Sequence, residues 1–238
     1  MNYVPFLDDE IFIGTVNEVF IKGVDAKSKS IKGFNRNVID PFAALFEIAC
    51  LHGEFDNWFV SEASRQAQKS LANHVGAFHQ KILGSVIGWK YLETGGMVDV
   101  ENQERKIIAE IKNKYNTLKG SNQVDLYQGL ESYVMRNGQK YKGYTAYYVE
   151  IIPKKPVRYD VPFTPSDNKT SSKCASNELI RRIDGASFYS LVTGHENALQ
   201  LVFEALPSIF KKINPSLSIN GIESLQDFFR KAYIPKAK

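Results

Sequence analysis

Hydrophobic positions along the chain fall into two periods. From residue 59 to 83, Ala63, Ala67, Leu71, Val75, Phe78 and Ile82 recur at helical spacing, and Glu62, Gln66, Lys69, Asn73 and Gln80 lie off that stripe. Ser61 followed by Glu62 reads as the start of this helix. Gly95-Gly96 then breaks the pattern, and the period changes to two. MVDVE alternates, Asn102 to Arg105 reads as a turn, and KIIAEIKNK alternates again, which predicts a β-hairpin over 97–113. Helical spacing returns over 122–136, with Val124, Leu126, Tyr127, Leu130, Tyr133 and Val134 apolar. The run 144–152 (YTAYYVEII) is β-rich and ends at Pro153, and 186–192 (ASFYSLV) reads as a further short strand. A last stripe, Leu199, Val202, Phe203, Leu206, Phe210 and Ile213, predicts a helix over 196–213 that Pro207 should kink or split. Residues 11–21 and 38–51 are apolar and partly helical in spacing. Pro162 to Ser176 is polar and turn-rich and reads as a long loop. Strands interleaved with helices predict an α/β fold with a central mixed β-sheet flanked by helices.

Composition narrows the class. With 238 residues, 43% hydrophobic and 24% charged, the chain suits one soluble domain able to bury a core without disulfides. The longest apolar run, Phe42 to Leu51, contains Glu47 and is far short of the ~20 residues that span a bilayer. The opening MNYVPFLDDE has no basic region followed by an apolar one, so no signal peptide is expected. Cys50 and Cys174 form no CxxC and no zinc spacing, which fits a reducing cytoplasm. Walker A and GxGxxG motifs are missing, so ATP use and dinucleotide redox chemistry are not expected. His74 and His79 stand five apart on one helix and make no metal pair. The charge is uneven. Residues 1–60 carry nine acids against five bases, and 61–238 carry 25 bases against 17 acids. A basic remainder permits a polyanionic partner, although it serves solubility equally well.

The hairpin holds the sharpest chemical signal. Glu110 and Lys112 are two apart on one strand and so share a face, opposite Ile107, Ala109 and Ile111. A turn centred between Glu104 and Arg105 places Asp99 across from Glu110, so the three groups converge. Two neighbouring carboxylates raise each other's pKa, and a hard divalent cation relieves that repulsion. With an adjacent lysine, the set suits metal-assisted hydrolysis of a phosphodiester. The acid-x-Lys triplet alone is common. It occurs at Asp25-Ala-Lys27, Glu104-Arg-Lys106, Glu110-Ile-Lys112 and Asp167-Asn-Lys169, and only the third closes an apolar strand with an acid one hairpin upstream. A solvated hairpin face with cross-strand ion pairs would give the same pattern.

The run GGMVDVENQERKIIAEIKNKYNT resembles the active-site hairpin of the PD-(D/E)XK nucleases, with Met97-Val98 where that motif's name has proline. Upstream ASRQAQKSLANHVGAFHQKILGSV and downstream NELIRRIDGASFYSLVTG resemble type II restriction endonucleases of the SinI group, which cut double-stranded DNA at GGNCC or GGWCC. The resemblance runs from about residue 40 to the end. It implies a restriction-endonuclease-like core in a single endonuclease domain over 1–238, with a catalytic core over 59–152 and a DNA-recognition region over 153–195. It implies Mg²⁺ bound by Asp99, Glu110 and the backbone carbonyl of Ile111, with Lys112 positioning or activating water. Glu101, on the face of Asp99, is the fallback metal ligand, and Glu62 is the candidate for an acid supplied by the preceding helix. It also implies 5′-phosphate ends, a homodimer matched to a palindromic site, a companion DNA methyltransferase and a bacterial cytoplasm.

Guanine is most often read by arginine, so Arg181 and Arg182 are candidates for base contact or phosphate clamping. Lys154, Lys155, Arg158 and Lys114 are candidates for backbone phosphates. Tyr144, Tyr147 and Tyr148 suit the core better than base stacking. The alternatives left open are a repair or structure-selective nuclease of the same superfamily and a non-catalytic nucleic-acid-binding domain.

Overall fold

The computed structural model describes residues 2–93, 95–167 and 171–235. In chain order the helices are α1 (Asp9–Lys32), α2 (Pro41–Glu47), α3 (Phe55–Gly84), α4 (Gly120–Met135), α5 (Gly185–Thr193), α6 (Ala198–Ile213) and α7 (Ile222–Tyr233). The strands are β1 (Lys90–Tyr91), β2 (Val100–Asn102), β3 (Ile107–Lys114), β4 (Thr145–Ile152), β5 (Asp160–Pro162), β6 (Ser166–Asp167), β7 (Ser172–Lys173) and β8 (Ile180–Asp184). The chain packs as two compact units, one of residues 1–14 with 79–238 and one of residues 15–78. No helix among the described residues is long and apolar enough to cross a membrane.

The smaller unit is helical. Pro41 opens α2 while the Asp40 carboxylate accepts the backbone N–H groups of Phe42 and Ala43 at 2.9 and 3.2 Å, a cap that the Asp-Pro pair encodes locally. A π-helical turn, Ile48–His52, follows and ends at Gly53 with φ 66°. Its core is Phe34, Trp58 and Ala63, with Ile39, Ala44, Ile48 and Phe59 packed around them. The helix α3 begins at Phe55, six residues before the expected start at Ser61.

The larger unit carries a six-stranded mixed sheet in the order β1-β2-β3-β4-β8-β5. Strands β3, β4 and β8 are parallel neighbours, and the outer pairings are antiparallel. The chain crosses from β3 to β4 through α4, whose Leu126, Tyr127, Leu130 and Val134 pack with Ile108, Ala146, Tyr148 and Ile180 on one face of the sheet. On the other face Phe188 of α5 sits against Tyr147, ring centroids 5.8 Å apart. Both faces are therefore covered, and Ile108 as well as Ile107, Ala109 and Ile111 is buried. The hairpin β2–β3 has the expected register, with Val100 opposite Ala109 and Asn102 opposite Ile107.

Three expectations change. Residues 186–192 are helix α5, not a strand, because Asp184 caps it through the Ser187 N–H at 2.9 Å and Gly194 closes it at φ 76°. The strand of this region is instead β8, and Arg181 and Arg182 lie within it. Pro207 does not split the last stripe: α6 runs on as a single 16-residue helix around it. The expected loop at 162–176 contains the two-stranded ribbon β6–β7, and its residues 168–170, including Lys169 of the fourth triplet, lie outside the described residues.

Candidate active site

Asp99 immediately precedes β2, and its N–H donates to the Ala109 carbonyl at 2.8 Å. The paired residues of β2 and β3 end at Val100 opposite Ala109, and this bond ties Asp99, one residue before β2, to the same Ala109. The Asp99 carboxylate turns to accept the Ile111 N–H at 2.6 Å and is thereby fixed against β3. Glu110 and Lys112 emerge on the same face, and the Lys112 ammonium pairs with the Glu110 carboxylate. Their side chains are 12% and 25% exposed, so the pair sits in a half-dry recess that remains open to solvent.

Burial sets the electrostatics. The Glu110 carboxyl is pushed up to about 7, first by burial and then by the Asp99 carboxylate, with Lys112 opposing both. Asp99 is also raised by burial, against the pull of the Ile111 N–H and the Lys112 charge. Two acids that resist ionising together are a pair whose repulsion a divalent cation would relieve. Among the described residues no three His, Cys, Asp or Glu side chains gather as a metal cluster. Two carboxylates plus a backbone carbonyl suit Mg²⁺, which keeps several of its waters, better than a cation that needs a full protein cage.

One neighbour escaped the sequence reading. The Gln80 amide of α3 donates to the Ile111 carbonyl at 3.3 Å, the oxygen expected to face a metal. Gln80 also favours the charged form of Asp99. Its place off the apolar stripe was visible in the sequence, but nothing local singles it out from Gln66 or Lys69.

The polar face continues across the parallel strands. Glu110 is in register with Tyr148 and Tyr148 with Arg182, while Lys112 is in register with Glu150 and Glu150 with Asp184. Glu150 is fully buried; it accepts the Tyr159 hydroxyl at 2.5 Å and the Arg182 Nη2 at 2.7 Å. Tyr148 Oη, Glu150 Oε1 and Arg182 Nε are buried without a hydrogen-bond partner.

The remaining candidates are placed as follows. Glu101 is 1% exposed and accepts Lys140 Nζ at 2.6 Å, Tyr141 Oη at 2.8 Å and Gln103 Nε2 at 3.0 Å, which occupies its carboxylate. Glu62 lies in the smaller unit, where Arg65 holds it at 2.5 and 2.7 Å and Gln66 at 3.0 Å. Those contacts hold its carboxyl below the usual range, led by the Arg65 hydrogen bond. Arg181 is paired with Asp160 and Glu178, both at 2.6 Å. Arg158 donates to Ser187 Oγ at 2.8 Å and Ser190 Oγ at 2.7 Å, so it clasps α5. Lys154 and Lys155 lie exposed in the turn after β4, and Lys114 is exposed at the end of β3. Tyr147 and Tyr148 are core residues, 6% and 0% exposed. His79 is half-buried, hydrogen-bonds the Tyr189 hydroxyl at 2.8 Å and is lowered to about 4 by desolvation, which fits a neutral packing role.

Comparison with known proteins places this hairpin in a family. Residues 4–214 match the family described as Eco47II restriction endonuclease. The type II restriction enzyme Eco47II of Escherichia coli is 45% identical, over 98% of this chain and all of that protein. The type II restriction enzyme Sau96I of Staphylococcus aureus is 31% identical, over 86% of this chain and 78% of that protein. No solved structure matches the chain. A match of this extent, spanning the hairpin and both flanks, establishes that the chain belongs to the Eco47II family of type II restriction endonucleases.

Proposed function

We propose that this enzyme cleaves double-stranded DNA within a short palindrome, GGNCC or GGWCC, using a PD-(D/E)XK site and Mg²⁺. The observation that carries the reading is the convergence of Asp99, Glu110 and Lys112 on one face, with Asp99 held by the Ile111 N–H at 2.6 Å. Asp99, Glu110 and the Ile111 carbonyl would hold the cation, which supplies charge neutralisation at the phosphate and acidifies water. Lys112 orients the attacking water and, as an ammonium beside the carboxylates, favours developing negative charge on the phosphate. Asp99 is kept in place by β3, and Gln80 steadies the Ile111 carbonyl. Attack in line with the leaving 3′ oxygen breaks the P–O3′ bond and leaves 5′-phosphate and 3′-hydroxyl ends.

In this reading Glu101 stays outside the metal site, because its carboxylate already accepts three hydrogen bonds. Glu62 is held by Arg65 and Gln66 and is given no role in it. Lys114, Lys154 and Lys155 contact phosphates from their exposed turns. Arg182 contacts DNA from its place on the catalytic face, steadied by Glu150, and Arg181 does so by exchanging its partners Asp160 and Glu178 for DNA. Arg158 keeps its structural clasp. The enzyme acts as a homodimer, in a bacterial cytoplasm, beside a methyltransferase that protects host sites.

Digestion of DNA of known sequence, with Mg²⁺ or with EDTA, by the wild type and by Lys112→Ala tests this. Discrete Mg²⁺-dependent fragments that vanish in the variant are expected, and their ends name the site. A smear would replace site-specific cutting with a structure-selective nuclease. Binding without cleavage by the folded wild type would overturn the catalytic assignment.

A further inference from the structure

The segment from α2 through the π turn is apolar on two opposite sides. Inward, Ala44 and Ile48 pack on Phe34, Trp58 and Ala63. Outward, Phe42, Leu45, Phe46 and Leu51 are 75%, 65%, 70% and 67% exposed. Phe42, Leu45 and Phe46 stand at i, i+3 and i+4 and so form one stripe. A helix that is apolar all round is one that is enclosed all round.

The charge around the stripe narrows what encloses it. From Asn37 to Ser64 the chain has five acids, Asp40, Glu47, Glu54, Asp56 and Glu62, and no lysine or arginine. Glu62 is buried and paired with Arg65, and the other four are exposed, so DNA phosphates and anionic lipid are disfavoured at this surface. Glu47 itself turns in to accept the Trp58 indole N–H at 2.9 Å. What remains is a protein surface that is itself apolar.

We propose that this stripe is the two-fold interface of the homodimer, with α2 of one copy packed against α2 of a second copy. The inference rests on the reading above, in which a palindrome is cut by two symmetric centres. With ~200 Å² for each phenylalanine and somewhat less for each leucine, these exposures leave roughly 500 Å² of apolar side chain open. Self-pairing doubles that to about 1,000 Å², the size at which an interface becomes specific. Because the rim is acidic on both copies, salt should tighten the dimer by screening repulsion, whereas it weakens DNA binding.

Sedimentation equilibrium of the full chain tests the interface, with circular dichroism checking the fold. The wild type is expected to dimerise more tightly as salt rises. Phe46→Glu and Leu45→Glu are expected to weaken the dimer by roughly 30-fold or more, as loss of a buried anchor does. Val38→Glu, at an exposed position off the stripe, should leave the dimer intact. A dimer that persists in both stripe variants overturns this interface and leaves the dimeric reading standing. A wild type that stays monomeric while cutting its site overturns both. Should the charged variants fail to fold, Phe42→Ser and the salt series on the wild type decide, and a dimer that loosens with salt overturns the proposal.

Discussion

The Asp99 carboxylate accepts the backbone N–H of Ile111 at 2.6 Å, across the hairpin from its own strand. One carboxylate oxygen thus fixes the register of the acid against β3, and Glu110 and Lys112 flank the residue that fixes it. Asp99→Asn keeps the size of the group but removes its charge. Cleavage should fall by roughly 10²–10⁴, the range for loss of a principal catalytic group, with melting temperature little changed. Single-turnover cleavage beside a melting curve checks this, and an active Asp99→Asn enzyme would contradict it.

The pH dependence of stability follows from Glu110. Its carboxyl is lifted from 4.5 to about 7 by burial and by Asp99. Between those values the folded, metal-free protein holds a proton that the unfolded chain has released. Its contribution to stability is therefore complete below 4.5 and is lost as pH rises through about 7. The difference in melting temperature between wild type and Glu110→Gln should widen across that window. Mg²⁺ competes with the same proton, so adding it should reduce the loss. A constant difference across the window would contradict the assignment.

Gln80 gives a test of the cation site from a residue that is not an acid. Gln80→Glu adds a third carboxylate beside Asp99 and Glu110 and removes the donor to the Ile111 carbonyl. The variant should be less stable without a divalent cation and should gain more melting temperature than the wild type when Mg²⁺ or Ca²⁺ is added. Equal gains in the two proteins would place Gln80 outside the site.

Arg158 separates a structural role from a DNA contact. It bonds Ser187 and Ser190 of α5 and lies 3.9 Å from the Asp184 carboxylate that caps that helix. Arg158→Ala should cost on the order of 1–2 kcal/mol in chemical denaturation, while the salt dependence of DNA binding stays as in the wild type. A smaller salt slope with unchanged stability would return Arg158 to the DNA face.

Gly185 marks where β8 hands over to α5 against the sheet. A Cβ there would meet the Ile151 carbonyl oxygen at 2.4 Å and the Ile151 Cα at 2.6 Å, backbone atoms that cannot rotate away. Gly185→Ala should destabilise by about 1–3 kcal/mol or more, through displacement of α5 from β4. An unchanged melting temperature would show that α5 shifts freely.

Where local chemistry decides, the sequence was sufficient. Strand period places Glu110 and Lys112 on one face, the turn at Asn102 to Arg105 sets Val100 opposite Ala109, and helical spacing marks α4, because each depends on residues near in the chain. The apolar run 186–192 misled for the same reason: its spacing fits a strand, and the cap at Asp184 and the stop at Gly194 outweigh it only once β8 is known to end there. Tertiary structure alone decided the rest. Parallel pairing of β3, β4 and β8 lines Tyr148, Glu150 and Arg182 up beside the hairpin, and packing of the α3 end carries Gln80 to the Ile111 carbonyl. Those neighbours lie 30 or more residues apart in the chain, so no local spacing or propensity records them. They arise only from the burial of both faces of the sheet, which fixes strand order and register together.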